Sequence, residues 1–164
     1  MHEKIAGALF SLGLLWAAGI AQGSEFDQGM QPIMTEYLKI QSALAADTTE
    51  GVKPAAEAIA KSSKSLDPGK APEKQAELYK SIPADLAAAC GKLEQAKDIA
   101  GAREAFKELS KPMAVWVANS EPEKMSVMHC PMAQAVWVQP GTKVANPYYG
   151  TSMAGCGMKV GGAD

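Results

Sequence analysis

Sulfur-bearing side chains are gathered near the C-terminus of this chain of 164 residues. Thiolate and thioether sulfur favours Cu(I) and similar soft ions, whereas hard cations require oxygen ligands. Only Glu121 and Glu123 offer carboxylates near this segment. The composition therefore predicts a soft-metal site within the set Met125, Met128, His129, Cys130, Met132, Met153, Cys156 and Met158.

Two turns containing proline are expected to present these ligands. In the segment 129–132 the ring of Pro131 fixes one backbone dihedral and removes one amide, so the neighbouring Cys and Met stand on a stiff turn. A second turn over 146–150 is followed by a Met and a Cys three positions apart, which can face the same way on one helical turn. The predicted metal ligands are Cys130, Met132, Met153 and Cys156, with His129 as a secondary ligand.

Each of these residues also has a simpler interpretation. Cys130 and Cys156 could form a disulfide, the ordinary outcome for paired cysteines after export, or could interchange between metal ligation and a disulfide. Met132 and Met153 could fill gaps in a core, as methionine often does. His129 could be a solvated turn residue rather than a ligand. These alternatives stay open at the level of sequence.

Other residues near the motifs are assigned to packing. Cys90 lies among alanines in a predicted helix, where a free cysteine behaves as a small buried apolar residue. Met125, Met128 and Met158 are expected to pack or to form a weaker outer layer. Three aromatic residues could shield a metal from water or form the hydrophobic cluster that holds the loop: Trp137, Tyr148 and Tyr149.

A signal peptide is predicted over residues 1–23. Lys4 supplies a short charged region, an apolar run follows from Ile5 to Ile20, and Ala21-Gln22-Gly23 places small residues before Ser24. The run is shorter than the roughly 20 residues of a membrane-spanning helix. We expect cleavage after Gly23, a periplasmic location and no membrane span in the mature chain. An uncleaved membrane anchor is the alternative.

The counts of charged residues, histidines and cysteines exclude several functions. A formal net charge of -2 provides no basic face for nucleic acid and no polybasic anchor for lipid. His129 is the single histidine of the predicted mature chain, whereas blue-copper and zinc-hydrolase sites use more. No Cys-x-x-Cys-His motif for covalent haem exists, and no serine lies in a strand-elbow-helix context, so we predict a protein that is not an enzyme. Three cysteines allow at most one intramolecular disulfide.

Helical periodicity dominates the chain before residue 121. Apolar residues recur three and four positions apart over four segments, which are typical of helices that pack together. The predicted helices are 30–44; one capped by Thr48 or Thr49 and ending near 65; 72–96, bent or divided at Pro83; and one capped by Asp98 and interrupted at Pro112.

The predicted fold class is all-α, an antiparallel four-helix bundle over residues 24–120. Residues 121–164 are expected to form an irregular metal-binding extension packed on the bundle within the same domain, because prolines and glycines accumulate there. Two short strands are predicted within it, at Ser126–His129 and Ala135–Gln139. The last residues, 161–164, are expected to be frayed.

The motifs also resemble a known family. The segments that carry the resemblance are 37–47 (YLKIQSALAAD), 129–133 (HCPMA), Trp137, and 146–150 (NPYYG) followed by Met153, Cys156 and Gly157. They look like a bacterial periplasmic domain of unknown function that is found alone or fused to CusB-like adaptor subunits of heavy-metal efflux pumps. The resemblance covers nearly all of the predicted mature chain.

The resemblance implies a helical bundle with a metal-binding C-terminal cap, and a role in handling copper or related metals outside the cytoplasm. It implies the same ligand positions: Cys130, Met132, Met153 and Cys156. We therefore expect a periplasmic binding protein for Cu(I), with Ag(I) or Zn(II) as other candidates, acting in metal trafficking, tolerance or efflux. A periplasmic efflux adaptor or a copper chaperone is the expected partner. The competing hypothesis is an interaction module without metal, whose tail is held by a Cys130–Cys156 disulfide.

Overall fold

Residues 23–162 are described by the structure, a computed structural model with four long helices beside a three-stranded antiparallel sheet. The helices are α1 (Glu25–Ala45), α2 (Val52–Ser63), the short α3 (Ala76–Tyr79), α4 (Ile82–Gln95) and α5 (Ile99–Ser120). The strands are β1 (Met125–Cys130), β2 (Ala135–Pro140) and β3 (Met158–Gly162). The predicted signal peptide lies outside the described residues, except for Gly23. Within 23–162, none of the helices combines the length and apolarity that a bilayer crossing requires.

Helix α1 begins at a capping box and buries one apolar stripe. The Ser24 side chain accepts a hydrogen bond from the Asp27 amide, and the Asp27 carboxylate accepts one from the Ser24 amide. Because this cap precedes Glu25, the helix starts upstream of the predicted residue 30. Residues at spacings of three and four are fully buried along it: Met30, Ile33, Tyr37, Ile40 and Leu44.

The long helices pack in chain order, and α5 returns to contact α1. The predicted division near Pro83 is confirmed, since α3 ends at Tyr79 and Pro83 lies in the first turn of α4, where its missing amide has no helical partner. The predicted interruption at Pro112 is wrong. Helix α5 continues through this buried proline, because core packing on both sides of it outweighs one lost hydrogen bond.

The predicted cap of α2 is also wrong. Gly51 occupies the N-cap position with φ 75°, and no side chain caps the helix. The Thr48 hydroxyl instead accepts a hydrogen bond from the Glu50 amide, which closes a local turn. The start of α2 therefore depends on the conformational freedom of a glycine.

The all-α prediction for the fold is wrong, because the C-terminal segment contributes a sheet of order β2-β1-β3. The two predicted strands are confirmed, and they pair from Met125 with Pro140 to Cys130 with Ala135. The third strand was missed, and it includes Gly161 and Gly162, which were expected to be frayed. Glycine gives no strand signal by itself, and β3 forms because β1 offers a free edge for pairing. The fold is mixed α and β.

The sheet and the bundle share one hydrophobic core. Trp137 and Val138 of β2 and Met128 of β1 are almost fully buried together with the helix stripes. The main helical contact of the sheet is between β2 and α5. This packing fixes the end of β1, where Cys130 lies, against the helices.

Candidate metal centre

Cys130 and Cys156 meet at one end of the sheet. Cys130 is the last residue of β1 and is fully buried, whereas Cys156 follows the 3-10 turn Gly150–Met153 and is partly exposed. The Cys156 amide donates to the Met153 carbonyl at 2.9 Å, which fixes the short loop between them. The two sulfur atoms are 3.1 Å apart, and both cysteines are free.

Hydrogen-bond donors surround the Cys130 sulfur. Burial raises the pKa of this thiol, but hydrogen bonds from the Cys156 thiol, the Ala133 amide, the Asn146 side chain and the Met132 amide lower the pKa below its ordinary value. The pKa of Cys156 is raised, first because its proton is held by Cys130, then by burial and by the charge on Cys130. The pair therefore favours a buried Cys130 thiolate that accepts a hydrogen bond from the more exposed Cys156 thiol.

The distance of 3.1 Å between the two sulfur atoms lies between the distance in a disulfide and the distance between two thiolates bound to one metal ion. A disulfide requires about 2.05 Å, which the pair would reach by closing about 1 Å. Two thiolates of a tetrahedral metal site with bonds of about 2.3 Å lie about 3.8 Å apart, which the pair would reach by opening about 0.7 Å. Small side-chain rotations supply either movement. The geometry fits both a dithiol metal site and a disulfide.

The two predicted thioether ligands lie in the turns that carry the cysteines. Met132 stands in the turn between β1 and β2 with 64% of its surface exposed, and its carbonyl accepts a hydrogen bond from the Tyr149 hydroxyl at 3.2 Å. Met153 is the last residue of the 3-10 turn and is partly exposed. Neither methionine is core, so the packing interpretation does not describe them.

His129, the predicted secondary ligand, is not brought to the cysteine pair. Side chains alternate along a strand, so His129 projects from the opposite face of β1 to Cys130, where it pairs with Val136 and Met158. Met158 is 55% exposed there, and Met128 is buried in the core. Among the described residues, no three His, Cys, Asp or Glu side chains form a group that could hold a metal ion. Of the predicted ligands, the structure thus brings Cys130 and Cys156 into contact, while Met132 and Met153 lie in the flanking turns.

Two of the three aromatic residues near the site belong to the core. Trp137 and Tyr148 meet edge to face with ring centroids 5.9 Å apart, and Tyr148 also contacts Phe106 of α5. The Tyr148 hydroxyl donates to the Val136 carbonyl on β2. Gly157 lies so close to the Trp137 ring that an added Cβ would approach it to 2.5 Å. These aromatic residues form the hydrophobic cluster that holds the loop.

A polar cluster that the sequence did not indicate joins the loop that precedes Cys156 to the bundle. Arg103 of α5 donates to the Pro147 carbonyl at 2.9 Å and to the Leu44 carbonyl at 3.0 Å, and it pairs with Asp47 at 2.6 Å. The second carboxylate oxygen of Asp47 accepts hydrogen bonds from the amide and hydroxyl of Thr151. Hydrogen bonds from Thr151, first from its hydroxyl, and then from Arg103 lower the pKa of Asp47 to about 2.

Two buried polar residues of α1 bond to the C-terminal part of the chain: Tyr37 to β2, and Gln41 to the loop that follows β2. The Tyr37 hydroxyl is hydrogen-bonded to Ser110 at 2.8 Å and accepts from the Val138 amide at 2.9 Å, while Gln41 donates to the Ala145 carbonyl at 2.7 Å. A signal for them was present in the sequence. Tyr37 and Gln41 lie four residues apart among apolar positions, and buried polar side chains need partners from outside their own helix.

Comparison with known proteins identifies the family of this chain. The model of a family described as "Protein of unknown function (DUF3347)" matches residues 33–125, more than half of the chain. The chain belongs to that family. The matched segment begins within α1, covers the rest of the bundle and ends at the first residue of β1, before either cysteine of the pair. No curated protein and no solved structure matches the chain.

Proposed function

We propose that this chain is an exported protein that binds a soft metal ion, Cu(I) first among the candidates, through Cys130 and Cys156. The observation that supports the proposal is the convergence of these two free thiols at 3.1 Å from separate parts of the chain. Thiolates bind Cu(I) strongly, and a bound metal requires them deprotonated. The donors around Cys130 favour that deprotonated form.

Access and additional donors support the same assignment. Cys156 is partly exposed, so an ion can reach the pair from solvent without opening the core. Met132 and Met153 stand in the adjoining turns and supply neutral thioether ligands. A site with few thiolates and neutral thioethers binds less tightly than an all-thiolate cluster, which suits transfer. His129 lies on the other face of the strand and takes no part in this first set of ligands.

The biological role that we propose is metal trafficking, tolerance or efflux in the periplasm. It depends on the predicted signal peptide and on the resemblance of the HCPMA and NPYYG segments to domains found alone or fused to CusB-like efflux adaptors. A periplasmic efflux adaptor or a copper chaperone would then exchange the ion with this protein. Ag(I) and Zn(II) are the alternative ions.

The second candidate function is an interaction module without metal. The same contact between Cys130 and Cys156 supports it, since closing by about 1 Å would give a disulfide that ties the end of β1 to the loop before β3. In that case the tail would be a rigid protein-binding surface, and the exposed methionines would belong to that surface.

A Cu(I) competition titration tests the proposal. Fully reduced protein is titrated against a chromogenic Cu(I) chelator, and free thiols are counted before and after reduction. We expect Cys130→Ser and Cys156→Ser each to weaken binding at least tenfold, about 1.4 kcal/mol, and Cys90→Ala, the matched control at a buried cysteine of the bundle, to leave it unchanged. Absence of Cu(I) binding by the reduced protein, with one disulfide in the native protein, would refute the metal function and support the interaction module.

A further inference from the structure

Asn146 is a buried polar residue whose hydrogen-bonding groups are all engaged. Only 1% of its surface is exposed. Its side-chain oxygen accepts hydrogen bonds from the amides of Tyr148 at 2.8 Å and Tyr149 at 3.3 Å, and its side-chain nitrogen donates to the Cys156 carbonyl at 2.7 Å.

Asn146 reaches the cysteine pair through the backbone of Cys156, whose sulfur lies 3.1 Å from the Cys130 sulfur. Cys130 and Cys156 are 26 residues apart in the chain and come from a strand and a loop. One carboxamide thus fixes the backbone of Cys156, the residue whose thiol must reach the buried Cys130.

The backbone around Asn146 is itself fixed. The carbonyl of the preceding Ala145 accepts a hydrogen bond from Gln41 of α1 at 2.7 Å, and the carbonyl of Asn146 accepts one from the Gly150 amide at 3.1 Å. The side chain therefore projects from a segment attached to the bundle. Outer groups of this kind orient the ligands of metal sites, and their loss typically weakens metal binding about 10- to 100-fold.

We infer that Asn146 is a positioning residue for the cysteine pair, holding the Cys156 backbone so that the Cys156 thiol lies beside Cys130, in the arrangement that lets both thiols reach one metal ion or each other. The metal part of this inference rests on the proposed function. The part that concerns the distance between the two thiols is independent of the proposed function, because that distance matters with or without a metal ion.

Asn146→Asp tests the inference, with Asn119→Asp as its matched control. Aspartate keeps an oxygen for the amides of Tyr148 and Tyr149 but cannot donate to the Cys156 carbonyl. Asn119 is the other asparagine of the chain and lies exposed near the end of α5. Asn146→Ser is the second, neutral variant; it keeps an acceptor in the turn and excludes an effect of the added charge.

Two measurements are made on reduced full-length protein whose circular dichroism is native. In the competition titration, we expect the Cu(I) dissociation constant to rise about 10- to 100-fold for both Asn146 variants and to change less than about twofold for Asn119→Asp. In a glutathione redox buffer without metal, we expect both Asn146 variants to lower the effective concentration of one thiol for the other about threefold or more relative to the wild type.

The two measurements separate this inference from the proposed function. If the wild-type protein binds no Cu(I), the proposed function is refuted, and the glutathione equilibrium alone decides the role of Asn146. If both Asn146 variants match Asn119→Asp in that equilibrium, the inference is overturned, whatever the protein does with copper. If Asn146→Asp does not fold, Asn146→Ser decides by the same criterion.

Discussion

The Tyr37 hydroxyl is the polar contact that joins the sheet to the centre of the bundle, and its removal has a calculable effect. Tyr37 is fully buried, and its hydroxyl satisfies the Val138 amide of β2 and the Ser110 hydroxyl of α5. Burial is the main cause that raises its pKa far above the ordinary value, so the phenol stays neutral at any pH where the protein is studied. Tyr37→Phe keeps the ring and its stacking on Phe106, with centroids 5.0 Å apart, and removes only the oxygen.

The expected cost follows from the groups left behind. The Val138 amide loses its partner in a buried position, which costs about 1–3 kcal/mol. The Ser110 hydroxyl can turn to a carbonyl of its own helix, so it adds little. We therefore predict that Tyr37→Phe lowers the free energy of unfolding by about 1–3 kcal/mol. Tyr149→Phe, which removes a hydroxyl from a long, exposed hydrogen bond, should change it by less than about 0.5 kcal/mol.

Urea unfolding of both variants measures this difference, provided that the slope against urea is unchanged. Hydrogen exchange at the Val138 amide provides a local reading, and we expect this amide to exchange faster in Tyr37→Phe than in the wild type. Equal stability of Tyr37→Phe and Tyr149→Phe, with an equally protected Val138 amide, would refute the argument that this hydroxyl supports the edge of the sheet.

Three further predictions concern the loop, the pH dependence of stability and the thiols. Gly150→Ala should destabilise the fold by more than Gly51→Ala: both glycines have positive φ, but only at Gly150 would the added Cβ collide, at 2.0 Å, with Asp47. Because the folded pKa of Asp47 is about 2, its contribution to stability is present above the ordinary value of 3.8 and is lost as pH falls towards 2. Urea unfolding across that range should therefore show a smaller acid-induced loss for the Asp47→Asn variant. Cys90 is fully buried, which also raises its pKa to about 12, whereas Cys156 is partly exposed. Iodoacetamide should therefore label Cys156 in the reduced native protein and Cys90 only after unfolding, as mass spectrometry would show.

The helical part of the fold was accessible from local sequence patterns. Spacings of three and four placed the long helices, the Asp98 cap is present with a hydrogen bond of 2.8 Å to the Gly101 amide, and Cys90 is buried as predicted. The predictions that were wrong concern features that depend on tertiary contacts. Pro112 remains inside α5 because surrounding packing supports it, and no pattern in the local sequence reports such support.

Only part of the sheet could be predicted from the sequence. The two adjacent strands carry apolar and β-branched residues and were predicted, whereas β3 ends in two glycines and gave no signal. A strand of this kind exists because an edge of β1 is available after the loop has folded back. The all-α prediction failed for that reason: strand pairing is a long-range interaction, and it cannot be inferred from the residues of one segment.

The residue types near the C-terminus determined by themselves which chemistry is open to this protein, because sulfur ligands select soft ions and three cysteines allow a single internal pair. Tertiary structure alone decided which of those residues meet. It brought the thiols of Cys130 and Cys156 to 3.1 Å and put His129 on the opposite face of β1. It also placed the buried Asn146 side chain against the Cys156 backbone. Ligand type is a property of each side chain, whereas convergence depends on strand register and on a loop anchored to the bundle.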